Sequence, residues 1–386
     1  TEEYRQGALI TSGDTRCQAI KKWEFNGHYY CIDGNKYECI EELESYDGVN
    51  WTPTWQTRLG NLVETDSDFC DETINPVSYE WRLNQRKYEC ESDEPSDYAN
   101  QYLTFVAIED GTFSFKNITG GSLVGQAVQY SIDGGSTWTT LNGGSQSPTV
   151  YAGNKIMWKS NTGVEKWSYF TSTGKYNVEG NIMSLVSGDS FTSATTITKD
   201  HQFSGLFSMV ELGSEVNFVV SAENLVLPAT TLASYCYQDM FRDCRLLTKA
   251  PQLPATTLAQ NCYYMMFSRC TSLTSAPSLP ATTLAFGCYS WMFNRCTSLT
   301  SAPSLPATTL ANGCYYDMFY GCTSLTTAPD LPALTLVSTC YYNMFGDCSS
   351  LSYVKCLATS ISADSCTYKW LENVSPSGLF IKNNSM

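Results

Sequence analysis

Apolar and polar positions between Leu227 and about Cys348 recur every 26 residues, following L-P-A-T-T-L-A-x-x-C-Y-x-x-M-F-x-x-C-T-S-L-T-x-A-P-x. One cysteine returns at Cys236, Cys262, Cys288, Cys314 and Cys340, and a second at Cys244, Cys270, Cys296, Cys322 and Cys348. Units this small cannot bury an apolar face alone, so a fixed period predicts a solenoid in which each unit covers the next. Leu232, Cys236, Met240 and Cys244 stand four apart, the spacing that lines one face of a helix. The C-Y-x-x-M-F-x-x-C half of each unit is therefore predicted to be helical, with its thiols inward. The S-L-T half reads as a short strand that points Leu273, Leu299 and Leu325 inward. Pro277, Pro303 and Pro329, with Pro280 and Pro306, end that strand and force the turn. Strands of successive units are expected to pair in parallel, about 4.8 Å apart.

Two regions precede the array. Residues 1–98 carry a longer repeat, in which Arg5, Gly7, Leu9, Ile10 and Cys17 return 53 residues later as Arg58, Gly60, Leu62, Val63 and Cys70. K-Y-E-C ends at Cys39 and again at Cys90. Alternating runs such as K-Y-E-C-I-E-E-L-E-S-Y predict half-exposed strands in small cysteine-containing β modules, the first of them truncated. Modules of this size usually rely on disulfides, and the pairing among Cys17, Cys31, Cys39, Cys70 and Cys90 stays open. Glu91 to Tyr98 reads as an acidic linker. Residues 99–188 alternate apolar and polar positions between Gly-rich turns, in L-T-F-V-A-I, G-T-F-S-F and A-V-Q-Y-S-I, which predicts a small Ig-like β-sandwich. Residues 189–386 are expected to form the solenoid. Leu206, Phe207 and Val210 open it as an atypical first unit, and Trp370, Leu371 and Val374 close it as a cap.

Composition narrows the function. Lys plus Arg number 23 against 38 Asp plus Glu, a formal charge of −15, so the basic surface that nucleic acid requires is missing and an anionic membrane is an equally poor partner. No apolar run is long enough to span a bilayer. Only 16% of residues are charged while Tyr alone numbers 25, a polar and weakly charged surface suited to an extracellular β-rich module. The repeated cysteines suit a metal ladder, a disulfide ladder, or thiols that simply fill core positions. The chain has only His28 and His201 to support a metal set, which favours packing and implies no cofactor. The acidic run Glu64, Asp66, Asp68, Asp71 and Glu72 lacks the Gly and terminal Glu of a calcium loop and reads as a solvated turn. Ser131, Asp133, Gly135 and Trp138 match the S-x-D-x-G-x-x-W box of sialidase-type propellers, and Asp47 with Trp51 gives a shortened copy. In such boxes the Asp accepts backbone hydrogen bonds and the Trp packs beneath, which makes both copies hairpin turns and not catalytic residues.

The 26-residue unit resembles the BspA-like leucine-rich repeats of surface proteins from gut Bacteroides and of phages that infect those bacteria. The blocks Y-L-T-F-V-A-I-E-D-G-T-F-S-F, G-N-I-M-S-L-V-S-G-D-S-F and K-C-L-A-T-S-I-S-A-D-S-C are similar to that multidomain family as well. The resemblance implies a surface-exposed, non-catalytic adhesion or recognition protein, on a bacterium or on a virion.

Positions that vary between units of one array are the outward ones. They read Gln238-Asp239, Tyr264-Met265, Ser290-Trp291, Tyr316-Asp317 and Tyr342-Asn343, with Tyr235 and Phe286 just before the first cysteine. Tyr264, Trp291, Tyr316, Tyr342, Tyr235 and Phe286 are thus the candidate ligand-binding residues. Flat rings beside small polar groups suit a glycan or protein ligand. Three functions follow: a non-enzymatic adhesin for host or cell-surface glycan or protein, a phage tail-fibre or receptor-binding protein, and a glycan-processing enzyme. The last requires two carboxyls converging at about 5–10 Å, and no pair in the sequence announces itself.

Overall fold

In this computed structural model the chain is described over residues 97–119, 122–123, 127–208 and 218–385, and ahead of residue 97 as the backbone of eight strands. Residues 1–96 and 97–386 form two compact units. In the first, β1 (Trp23–Ile32), β2 (Asn35–Glu42) and β5 (Thr57–Thr65) make one antiparallel sheet. β3 (Glu44–Tyr46) pairs with β4 (Trp51–Pro53), and β6 (Thr73–Asn75), β7 (Ser78–Leu83) and β8 (Arg86–Glu91) make a third sheet. Both K-Y-E-C segments lie in strands, β2 and β8. Cys17, Cys70, Asp47 and Asp66 to Glu72 lie outside the described residues.

The second unit begins with two sheets. β9 (Leu103–Ala107), β12 (Val128–Ser131), β13 (Thr139–Leu141), β14 (Lys155–Lys159), β16 (Tyr176–Asn181) and β17 (Val219–Val226) lie in the order β13-β12-β14-β9-β16-β17. β10 (Phe113–Thr119), β11 (Ser122–Leu123) and β15 (Ser168–Ser172) make a smaller sheet. Alternation turns Phe105, Trp158 and Tyr176 of the larger sheet against Phe113 and Phe170 of the smaller, with ring centroids 4.8–6.3 Å apart. Burying rings of this size supplies most of the driving force here. The sheet does not stop at residue 188. β16 pairs in parallel with β17, and Phe207 packs on Phe105 and Phe170, so the strands and the repeat array share one core.

From Phe203 onward the chain stacks unit on unit. Phe207, Phe241, Phe267, Phe293, Phe319 and Phe345 form one file of parallel rings at 5.0–5.6 Å. Phe203, Tyr237, Tyr263, Tyr289, Tyr315, Tyr341 and Trp370 form a second at 5.6–6.1 Å. Leu206 and Phe207 do occupy the first-unit places expected of them; Val210 lies outside the described residues. At the far end β18 (Tyr353–Cys356) pairs in parallel with β19 (Leu379–Lys382), whose Leu379, Phe380 and Ile381 remain exposed.

The C-Y-x-x-M-F-x-x-C half is not a helix. Cys262, Tyr264, Met266, Ser268 and Cys270 each donate their N–H three residues back, to Ala259, Asn261, Tyr263, Met265 and Phe267. The alternate N–H groups of Asn261, Tyr263, Met265, Phe267 and Arg269 go instead to Phe286, Cys288, Ser290, Met292 and Asn294 of the next unit. The segment is a run of four-residue turns, each with one residue at positive φ, such as Asn261, Met265 and Arg269 at 51°, 55° and 62°. Left-handed conformations cost non-glycine residues about 1–2 kcal/mol each, which the inter-unit bonds offset. A four-residue turn and a helix both return side chains to one face every fourth residue, so the inward positions were correct and the backbone expectation was not. An α-helix satisfies its N–H groups internally; half of these turn amides tie neighbouring units together.

The S-L-T half likewise contracts to a single parallel bridge, Ser275 to Ser301, and a second bridge, Thr283 to Thr309, lies in the A-T-T-L segment beyond the prolines. Leu273, Leu299 and Leu325 of the S-L-T half are buried as expected.

Candidate functional site

All twelve cysteines from Cys236 to Cys366 are buried and unpaired. The second cysteine of successive units has a specific role: Sγ of Cys270, Cys296, Cys322 and Cys348 donates to the carbonyl of Phe241, Phe267, Phe293 and Phe319 at 3.0–3.1 Å. Burial pushes the Cys262 and Cys296 thiols up to about 12, which keeps both protonated and makes them poor nucleophiles. Among the described residues no group of three or more His, Cys, Asp and Glu is placed to hold a metal ion, and no helix is long and apolar enough to cross a membrane.

The Asp133 turn joins β12 to β13. Asp133 accepts from Ser131 Oγ at 2.7 Å and from the Thr137 amide at 2.9 Å, and Ser131 Oγ accepts from the Gly135 amide at 2.9 Å. These bonds hold its carboxyl down to about 2. Trp138 lies edge-on to Tyr102 at 4.8 Å, under the ammonium of Lys159 at 4.3 Å. Every polar contact of the box serves the turn itself. Trp51 lies in β4, and its side chain, like Asp47, is outside the described residues.

The turn ribbon carries the variable rings on its outer side, and the structure sorts them. Trp291, Tyr316, Tyr342 and Tyr368 form one stack with centroids 6.4, 4.4 and 5.0 Å apart. The Trp291 amide donates to the Tyr316 carbonyl at 2.8 Å, which sets Trp291 on the level below Tyr316 although the two differ by 25 positions and not by 26. Tyr368, half exposed, was missed by sequence reasoning because its unit reads as a cap; it stands one period after Tyr342. Tyr264 is outside the stack: the rung above it carries Ser290. Burial, then the Asp239 carboxylate, raises its phenol. Tyr235 stacks on His201 at 4.6 Å and accepts from Gln260 Nε2 at 2.8 Å. Phe286 stands by itself, 55% exposed.

The stack changes what these rings present. Unit spacing matches ring-stacking distance, so Tyr316 and Tyr342 cover each other's faces at 3°. Solvent meets a ribbon of ring edges and hydroxyls, with an open face only where the stack ends.

Below the ribbon Asp317 is 4% exposed and accepts from Asn343 Nδ2 at 2.5 Å. The equivalent Asp239 has Arg242 at 3.3 Å, whereas three residues after Asp317 the chain has Tyr320. Burial therefore pushes the Asp317 carboxyl up to about 6 from 3.8. A carboxyl raised in the folded state contributes fully below its unfolded pKa, and that contribution is lost as pH rises through about 6. Replacing Asp317 by Asn, which tolerates left-handed φ, is expected to add about 1–2 kcal/mol at pH near 8 and almost nothing at pH near 4. Urea unfolding at the two pH values checks this; equal gains at both would contradict the assignment.

A scan of protein-family models gave no match to this chain, nor did searches of the curated proteins and of the solved structures.

Proposed function

We propose that the chain is a non-enzymatic, surface-exposed recognition protein, an Ig-like sandwich joined to a BspA-like leucine-rich-repeat solenoid that binds a glycan or protein of a host or cell surface. The observation that carries this reading is the outward stack of Trp291, Tyr316, Tyr342 and Tyr368. Positions free to vary in a repeat hold aromatic rings on four consecutive units, where solvation alone would favour charged or small polar groups. A row of ring edges and hydroxyls about one strand spacing apart suits an extended ligand over a small molecule. The twelve unpaired thiols favour a second reading, a virion tail-fibre or receptor-binding protein folded in a reducing cytosol before release.

Trp291→Ala combined with Tyr316→Ala removes the end of the stack and leaves the buried Phe and Tyr files untouched. Each ring is expected to contribute about 1–2 kcal/mol to binding, so attachment to intact bacterial cells or mucin should fall at least about tenfold. Undiminished attachment by a folded double variant would move the site off this face.

A further inference from the structure

Beside the ring stack, the last turn of the ribbon carries a different chemistry. The row one turn further along reads Asp243, Arg269, Arg295, Gly321 and Asp347, one residue per unit. Arg269 and Arg295, with Arg245, line a cleft of about 430 Å³. Three guanidiniums on neighbouring units are conspicuous in a chain with a formal charge of −15. Remote carboxylates are screened beyond about 8–10 Å at ordinary ionic strength, so the local cluster decides what the cleft attracts.

The pairing within the cleft is lopsided. Asp243 lies 3.5 Å from Arg245 and 3.9 Å from both Arg269 and Arg242, loosely shared among the three. Among the described residues Arg295 has no carboxylate within ion-pair distance; its guanidinium hydrogen-bonds Tyr320 and stands 5.8 Å from the centre of that ring. Asp347 also lines the cleft, at its far end; hydrogen bonds from Tyr320 and from Asn373 Nδ2, the latter at 2.8 Å, hold its carboxyl down, and the charge of Arg295 adds to this. Gly321 keeps the cleft open: it sits at φ 70°, and a Cβ there would meet Arg295 Cγ at 3.1 Å. Thr271, Thr297 and Thr323 place hydroxyl-bearing side chains along the wall.

We propose that this cleft binds the anionic groups, carboxylate or sulfate, of an extended saccharide. Guanidinium forks match either group bidentately and stay charged at every physiological pH. An acidic polypeptide fits less well. Main-chain addition needs free backbone donors, and the amides of Arg269, Arg295 and Gly321 are already committed to Asn294, Tyr320 and Gly346. Recognition here is by side chains alone, which suits a ligand that brings its own hydroxyls and charges. The inference stands on the arginines and holds whether or not the ring stack binds anything.

Binding of the full chain to immobilised dextran sulfate, polygalacturonate, neutral dextran and polyglutamate, each at low and high salt, tests it. Wild type should bind dextran sulfate, polygalacturonate or both, with affinity falling steeply as salt rises, and should ignore neutral dextran. Sulfate-only or carboxylate-only binding would name the group. Arg269→Gln with Arg295→Gln should lower that affinity about tenfold or more, with thermal unfolding confirming the fold. The single variant Arg245→Gln, at a side chain 68% exposed, should give a smaller loss without touching stability. No binding of either polyanionic saccharide by wild type, unchanged binding by the double variant, or polyglutamate bound as tightly as the saccharides would each overturn the proposal.

Discussion

Replacing Phe293 by Ala is expected to cost about 3–5 kcal/mol and to break the array at its middle. Phe293 is fully buried, with Phe267 and Phe319 each 5.6 Å away on either side, so one truncation removes two ring contacts and leaves a cavity. The backbone bonds of that unit, including Phe293 N–H to Met318 O at 2.9 Å, are not touched by the change. In a stack each unit contacts only its neighbours, so the loss falls on the two interfaces of one unit and uncouples what lies beyond. The side joined to the sheets through β17 and Phe207 keeps its packing; the side running to β19 does not. Limited proteolysis should therefore cut first C-terminal to Phe293, well before the strands of residues 97–188. An array as resistant as wild type would show that Phe293 is not a core residue.

The second large effect is kinetic. Thiols that are fully buried and protonated meet an alkylating reagent only after local opening. If opening costs about 5.5 kcal/mol, modification slows by a factor on the order of 10⁴. The ten array cysteines should stay unmodified in native protein over hours and be modified quickly in denaturant without any reductant, as peptide-resolved mass spectrometry would read. A requirement for reductant would mean disulfides, and rapid modification of the native protein would mean that the thiols do not lie in the core. Cys356 and Cys366, beyond the regular two-cysteine units and also buried, are expected to follow the same pattern.

The sequence was most readable where one physical demand repeats. Leu232, Cys236, Met240 and Cys244 recur because every unit meets the same neighbour, and their inward placement followed from spacing alone. What spacing could not separate was a helix from a run of turns, since both return a side chain to the same face every four residues. The distinguishing signal was faint: Asn261, Gly287 and Gly313 occupy one of the positions where positive φ is required, but Tyr235 and Thr339 occupy it too. The β strands of residues 99–188 were legible from alternation, while the parallel pairing of β16 with β17 joins segments about forty residues apart and leaves no local trace.

The candidate rings were partly legible. Trp291, Tyr316 and Tyr342 come together, but the expectation of open faces overlooked that a unit repeat of stacking length makes rings cover one another. Arg269 and Arg295 stand in a row that varies between units just as the rings do, but only two of its five residues are basic, and only the stack brings Arg245 to the same cleft.

The central claim is recognition without chemistry, and the most direct measurement sets retention against turnover on the same ligand. Full-length protein incubated with intact bacterial cells and with mucin glycans would be assayed for bound protein and for newly released reducing ends. The account predicts saturable retention and a release no greater than in buffer alone. Catalytic release of sugar, or the absence of any retention on either surface, would contradict it.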